Sequence, residues 1–207
     1  MKHRPMPGLQ GERSPEQVRE RRADERYLTV YRVAKVLRAG DAGLWRVRNM
    51  SDRGMLLETG AAVVPNERLD IALSETIVLS GRVVWSSEGR CGIAFDKSIC
   101  AGQVLRRLVE ERETDGYRPL RLQVRCVARL LTDADEMEIM VTSISQFGAG
   151  FIYEGMLREA ASVHLALADG VWRNGNLRWL RGSAAGLRLA SPFALSELET
   201  VRGFACG

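Results

Sequence analysis

Three arginines near the start of the chain could bind an anionic ligand. Arg22 and Arg26 form an R-x-x-x-R motif immediately before the first predicted strand, and Arg21 precedes them. A guanidinium fork donates two parallel hydrogen bonds to a phosphate or to the O6/N7 edge of a guanine, and it can stack on a purine. Considered alone, these arginines are typical of a solvated charged linker. Together with a second motif, they indicate a site for a phosphate-bearing ligand.

The second motif, N-x-S-x-x-G, comprises Asn49, Ser51 and Gly54 and falls between two predicted strands. Asparagine and serine would supply short polar groups, and the glycine would let the backbone approach closely or adopt a positive φ. By itself this motif is also typical of a β-turn closed by side-chain-to-backbone hydrogen bonds. Both motifs therefore depend on a scaffold that brings them together.

Apolar and polar residues alternate with period two from Tyr27 onward, which predicts β-strands. In the first half the predicted strands are Tyr27–Val36, Leu44–Arg48, Met55–Glu58, Leu69–Leu73, Ile77–Trp85 and Cys91–Phe95. Glycine, asparagine and aspartate separate them, which favours a closed barrel or a sandwich. A helix is predicted next, with an apolar stripe of Val104, Leu105, Leu108 and Val109.

The second half repeats this plan at a constant offset of 94 residues. The offset aligns Ser51 with Ser145 (145 − 51 = 94), Gly54 with Gly148, Trp85 with Trp179 and Gly92 with Gly186. The chain has only four tryptophans, so this agreement indicates two tandem copies of one β domain. The second-half strands are Arg121–Cys126, Met137–Ile144, Gly150–Tyr153, Val163–Ala168, Leu177–Leu180 and Gly186–Leu189, and Ser191-Pro192 predicts a final helix.

The two motifs, followed by Gly81-Arg82-Val83-Val84-Trp85 and Gly92-Ile93-Ala94-Phe95, closely resemble the PilZ family. The resemblance covers residues 19–112 and recurs more weakly over 113–203. It implies a six-stranded antiparallel barrel with a trailing helix, and a site for cyclic di-GMP, which is a ligand and not a cofactor. The motifs assign Arg22, Arg26, Asn49, Ser51 and Gly54 to that site, with Arg21 as an additional contact. Trp85 and Trp179 are predicted to lie in the barrel core or rim and are not assigned to the ligand.

We therefore predict an all-β chain of two tandem six-stranded antiparallel PilZ-like barrels, each followed by a short C-terminal helix. The predicted parts are a flexible N-terminal arm (1–18), a PilZ domain with intact cyclic di-GMP motifs (19–112) and a degenerate PilZ-like domain (113–207). In the second copy the offset replaces Arg22, Arg26 and Asn49 by Gly116, Leu120 and Ser143, and Arg118 and Arg121 are spaced one residue too closely. We expect this copy not to bind cyclic di-GMP on its own.

Composition argues against several other classes of protein. The formal charge of +4 is only mildly basic, which fits one local anion site better than a surface that tracks phosphates. The cysteines, Cys91, Cys100, Cys126 and Cys206, lack C-x-x-C spacing, so we expect free thiols and no metal site. Without a catalytic motif, a signal peptide or a membrane-spanning apolar run, we expect a cytoplasmic, non-enzymatic protein.

We expect a receptor in which cyclic di-GMP engages the arginine arm and the first barrel, and changes how the two barrels or a protein partner pack. One alternative is a structural protein–protein interaction module without a ligand. Another is a nucleic-acid-binding β-barrel, which needs exposed stacking aromatics beside a basic stripe. Aromatic residues make up only 6% of the chain, which disfavours nucleic acid as a partner.

Overall fold

The computed structural model describes residues 27–113, 118–133, 135–158, 161–167 and 170–204, with the side chains of the first strand described from Arg32 onward. Its first half contains the strands β1 (Tyr27–Arg38), β2 (Asp41–Met50), β3 (Gly54–Glu58), β4 (Arg68–Ala72), β5 (Val78–Ser87) and β6 (Arg90–Phe95), and the helix α1 (Ala101–Glu113). Its second half contains β7 (Leu122–Leu131), β8 (Glu136–Ser145), β9 (Gly148–Tyr153), β10 (Ser162–Ala166), β11 (Trp172–Arg181) and β12 (Ala184–Leu189).

Each set of six strands closes into an antiparallel barrel. The first barrel has the order β1-β2-β3-β6-β5-β4, and the second has the equivalent order β7-β8-β9-β12-β11-β10. The strands β10, β11 and β12 begin and end 94 residues after β4, β5 and β6 (162 − 68, 172 − 78 and 184 − 90). A β-bulge recurs between Val83 and Trp85 and between Leu177 and Trp179. The predicted repeat and the two six-stranded barrels are therefore confirmed.

Side-chain alternation explains how each barrel fills its interior. In β7, buried and exposed residues alternate strictly from Leu122 to Leu130, as expected for a strand with one face on the core. Trp45 and Val47 of β2 point inward and are almost fully buried, whereas Arg46 and Arg48 lie on the outer face. The two-residue turn between β5 and β6 consists of Glu88 and Gly89, both with positive φ, which matches the right-handed twist of a hairpin.

The predicted helix after the first barrel is confirmed, with one correction to its apolar stripe. Leu108 of α1 is 1% exposed and packs on the first barrel's core, with Val104 and Leu105 partly buried beside it. Val109 is 52% exposed and lies outside this contact. The helix thus buries a narrower face than its sequence indicates. No helix in the described part of the chain is long and apolar enough to cross a membrane.

The predicted helix after the second barrel is wrong for the described residues up to 204. Two 3-10 turns, Leu195–Glu197 and Arg202–Phe204, take its place. The reason is that tertiary contacts use the backbone groups that an α-helix would pair internally. The Leu198 main-chain oxygen accepts from the Leu44 amide at 2.7 Å, and the Glu199 main-chain oxygen accepts from the Trp45 indole nitrogen at 2.9 Å.

This C-terminal segment joins the two barrels along strand β2. Leu44 of the first barrel is 2% exposed and belongs to the hydrophobic core of the second. The Asp41 carboxylate accepts hydrogen bonds from the Thr200 hydroxyl at 2.8 Å and from the Val201 amide at 3.1 Å. We call this surface, formed by Asp41–Trp45 and Leu198–Val201, the interbarrel contact.

Candidate functional site

The N-x-S-x-x-G motif forms a tight turn between β2 and β3. The Ser51 amide donates to the Gly54 oxygen at 2.8 Å, and the Ser51 hydroxyl donates to the same oxygen at 3.3 Å. A Cβ on Gly54 would overlap the main-chain oxygen of Ile93 on β6, so only glycine permits this approach of the two strands. Ser51 and Gly54 therefore shape the turn that the motif predicts.

The next residues of the turn attach it to the start of helix α1. The Asp52 carboxylate accepts a 2.8 Å hydrogen bond from the Ala101 amide, which satisfies one of the unpaired donors at the helix N-terminus. The main-chain oxygen of Asp52 accepts a hydrogen bond from the Ile99 amide at 2.9 Å. The main-chain oxygen of Arg53 accepts one from the Phe95 amide at 2.9 Å. The turn is thus held rigidly between β6 and α1.

A surface groove of about 290 Å³ brings the described motif residues together. Asn49, Ser51 and Gly54 lie on one side of it, as the motif predicts. The sequence interpretation missed several other lining residues, which are Arg53, Met55, Leu56, Val84, Trp85, Gly92, Ile93 and Ala94. Arg53 lies within the N-x-S-x-x-G motif, so its position in the sequence could have predicted that it lines the groove. The residues on β5 and β6 become neighbours of the motif only through barrel closure.

Trp85 forms one wall of this groove, on the outer face of the barrel. Its side chain is 45% exposed, and its indole lies across Gly92, where any Cβ would overlap the ring. Trp179 lies across Gly186 in the same way in the second barrel. Because both barrels have this tryptophan–glycine pair, we infer that its main role is to pack the outer wall. The open part of the Trp85 ring is nevertheless a groove surface.

The three predicted arginines, Arg21, Arg22 and Arg26, lie outside the described residues. The described backbone does fix where the chain enters the barrel. In the β1–β2 register, Tyr27 lies opposite Met50 and Leu28 lies opposite Asn49. The first described residue of β1 is thus beside the N-x-S-x-x-G turn.

The second barrel keeps the turn and changes the groove. The Ser145 hydroxyl donates to the Gly148 oxygen at 3.2 Å, and a Cβ on Gly148 would approach the Leu187 oxygen, as at Ser51 and Gly54. In contrast, the offset replaces Asn49 by Ser143 and Arg53 by Phe147. The comparison separates Ser51 and Gly54, which the fold requires in both barrels, from Asn49 and Arg53, which only the first barrel has.

The described residues contain no group of three or more histidine, cysteine, aspartate or glutamate side chains that could hold a metal ion. Cys91, Cys100 and Cys126 are free thiols, as predicted, and Cys206 lies outside the described residues. Burial raises the pKa of the Cys91 thiol to about 11, because a thiolate is poorly solvated in the barrel core.

No curated protein matches this chain. Among solved structures, the chain is similar to PlzA of Borreliella burgdorferi in complex with c-di-GMP, with 12% identity, a TM-score of 0.34 and coverage of 84% of this chain and 92% of that chain. It is also similar to the inhibitor of motility MotI/DgrA of Bacillus subtilis, with 9% identity, a TM-score of 0.34 and coverage of 81% and 91%. A third similar structure is Escherichia coli YcgR in complex with c-di-GMP, with 11% identity, a TM-score of 0.29 and coverage of 78% and 75%.

The family comparison covers the first barrel. The model of the PilZ domain matches residues 20–111, a range that contains both sequence motifs, all six strands of the first barrel and most of helix α1. Over residues 20–111 this chain is therefore similar to the PilZ domain family.

Proposed function

We propose that this protein is a non-enzymatic receptor for cyclic di-GMP and that its first barrel forms the binding site. In this proposal the guanidinium groups of Arg21, Arg22 and Arg26 bind the phosphates and the guanine edges. Asn49 supplies a polar group from the barrel wall, while Ser51 and Gly54 hold the turn in the shape that exposes it. The PilZ motifs and the family match over residues 20–111 support this assignment.

The position of the chain entry is the observation that carries the proposal. Tyr27 pairs with Met50, so the residue that follows Arg26 lies beside the turn that contains Asn49 and Ser51. Consecutive Cα atoms are about 3.8 Å apart, so the proposal places Arg26 next to this turn. Arg22 precedes Arg26 by one R-x-x-x-R spacing, and the proposal requires both guanidinium groups to reach the groove.

The chemistry of the ligand matches these groups. Cyclic di-GMP has two phosphate anions and two guanines, and each guanine presents paired acceptors at O6 and N7. Charge-assisted hydrogen bonds from arginine to such groups contribute about 1.5–3 kcal/mol each. The groove beside Asn49 also offers the apolar surfaces of Val84, which is 59% exposed, and of Trp85. A purine ring could lie against these surfaces while the arginines close over it.

In this proposal, strand β2 connects the binding site with the interbarrel contact. Asn49 lies at one end of this strand, and Asp41–Trp45, at the other end, form the interbarrel contact. We propose that ligand binding changes this contact or the surface that a protein partner recognises. A ligand shifts such an equilibrium only by the difference in its affinity for the two arrangements.

Calorimetric titration of the purified full-length chain with cyclic di-GMP tests the proposal. We expect saturable binding that R22A, R26A and N49A each weaken by about tenfold or more, since each substitution removes a hydrogen-bond donor or acceptor to a charged or polar ligand group. The matched control is R106A, which removes an exposed arginine from α1 outside the groove. Absence of binding to the wild-type chain, or unchanged affinity in R22A and R26A, contradicts the proposal.

A further inference from the structure

A second groove lies on the outer wall of the second barrel, and the 94-residue offset aligns part of it, Arg178 and Arg188, with the first groove. Its volume is about 390 Å³, and strands β11 and β12 supply its lining, which includes Arg178 and Arg188. The equivalent residues of the first barrel are Val84 and Ala94, which both line the first groove. Two arginines therefore stand where the first barrel has apolar side chains.

Arg121 extends over the same wall from the segment before β7. Its guanidinium donates a 3.1 Å hydrogen bond to the Ser143 hydroxyl, at the position equivalent to Asn49. It also lies 3.8 Å from the position that a Cβ on Gly148 would occupy, and Gly148 is opposite Arg188 in the β9–β12 register. The neighbouring Gly150 replaces Leu56 of the first barrel, and the absence of its side chain leaves space for Arg121.

These arginines form a concentration of positive charge. Among the described residues, no carboxylate forms an ion pair with Arg121, Arg178 or Arg188. Burial, and secondarily the nearby Arg118 guanidinium, lower the pKa of Arg121, so its charge is poorly compensated in place. A bound anion would relieve this unfavourable electrostatic energy.

We propose that Arg121, Arg178 and Arg188 form a separate binding site in the second barrel for a small phosphate-bearing ligand of the nucleotide class. The two strand arginines are presented by rigid strands, so the site needs no contribution from the N-terminal arm. Guanidinium forks suit phosphate oxygens and can stack on a purine. On the same wall Trp179 is 37% exposed, and the Arg181 guanidinium lies over its ring, 5.9 Å from the centroid. This inference goes beyond the proposed receptor function, because it uses no residue of the first barrel.

The test uses the full-length chain with R22A and R26A already introduced, so that the proposed first site does not contribute. The probes are inorganic pyrophosphate and GMP, each titrated by calorimetry up to millimolar concentration. We expect saturable binding of both probes, with weaker binding as salt is added, because Arg178 and Arg188 are exposed charges. Adding R178A and R188A should lower the affinity by about tenfold or more.

The matched control adds R106A and R107A instead, which removes two exposed charges from helix α1. This control should retain the affinity of the background chain within about twofold, because surface substitutions away from a site have small effects. Binding that is absent for both probes, or that persists in the R178A/R188A chain, overturns the proposal. The outcome is independent of cyclic di-GMP binding, which is measured on chains with intact Arg22 and Arg26.

Discussion

The indole nitrogen of Trp45, in the first barrel, donates a 2.9 Å hydrogen bond to the main-chain oxygen of Glu199, in the segment after the second barrel. The Trp45 side chain is completely buried, so the donor of this bond is shielded from water. The adjacent Leu44 amide donates to the Leu198 oxygen, which continues the backbone pairing across the two barrels. The interbarrel contact therefore combines a backbone hydrogen bond, hydrogen bonds from and to side chains, and a shared core residue, Leu44.

The first prediction concerns Gly43, which lies at the centre of the interbarrel contact. A Cβ at this position would overlap the Glu199 main-chain oxygen and carbon, and backbone atoms yield less readily than the end of a side chain. We expect G43A to lower the free energy of unfolding by about 1–3 kcal/mol, the usual cost of overpacking. Chemical denaturation of the full chain measures this change.

The control for this prediction is G203A, also in the C-terminal segment. A Cβ on Gly203 would meet no atom within 4 Å, so G203A should leave the stability almost unchanged. Equal stability of G43A and the wild type would show that the C-terminal segment moves away at little cost, and that the interbarrel contact is weak.

The second prediction is a pH dependence that originates at Glu199. Burial raises the pKa of this carboxyl, although a hydrogen bond from the Gly60 amide at 2.7 Å opposes the shift. A raised pKa means that the folded chain binds the proton more tightly than the unfolded chain does. Its contribution to stability is therefore present below the unfolded pKa of about 4.3 and is lost as the pH rises through the higher folded value.

Thermal unfolding of the wild type and of E199Q at a series of pH values measures this effect. Relative to E199Q, the wild type should lose stability as the pH rises from about 4 to 7, because glutamine does not ionise. E75Q, at an exposed position in the β4–β5 connection, serves as the control and should follow the wild type. A constant stability difference between E199Q and the wild type would contradict the raised pKa.

Sequence reasoning recovered the barrels because their information is local and repeated. The alternation of apolar and polar residues predicts which side chains of each strand point inward. The 94-residue repeat then predicts each strand a second time, from an independent part of the sequence. The prediction of a final helix was wrong because residues in that segment form hydrogen bonds with residues distant in sequence. Trp45 and Glu199 are 154 residues apart, and no periodicity in the sequence links them.

The candidate site was recovered only where it is contiguous in sequence. Asn49, Ser51 and Gly54 are neighbours along the chain, and the structure brings all three to one groove. Trp85 reaches the same groove from β5, through pairing with β6, which a linear motif does not encode. The distinction between residues that shape the turn and residues that we propose to bind the ligand also required the structure, because only geometry shows Ser51 and Ser145 forming the same hydrogen bond.

The third prediction follows from that distinction. S51A and S145A each remove a hydroxyl that closes the equivalent turn, so each should lower the stability by about 0.5–1.5 kcal/mol. N49A should change the stability less and weaken cyclic di-GMP binding more than S145A does, because S145A lies in the other barrel. Calorimetry and chemical denaturation on the same three variants give both quantities. Equal loss of affinity in N49A and S145A would contradict the assignment of the site to the first barrel.

The last prediction concerns the reactivity of the free thiols. Cys91 is fully buried and its pKa is raised to about 11, so at pH 7–8 it is protonated and inaccessible to a thiol reagent. Cys100, immediately before α1, is exposed and should react at once. In a C206S chain we expect one fast thiol, removed by C100S, and two slow thiols, Cys91 and the buried Cys126, that react only as the barrels open. Because these two cysteines lie in different barrels, their separate rates, resolved by mass spectrometry, report the stability of each barrel within the intact chain. Fast modification of Cys91 in the folded chain would contradict a closed first barrel.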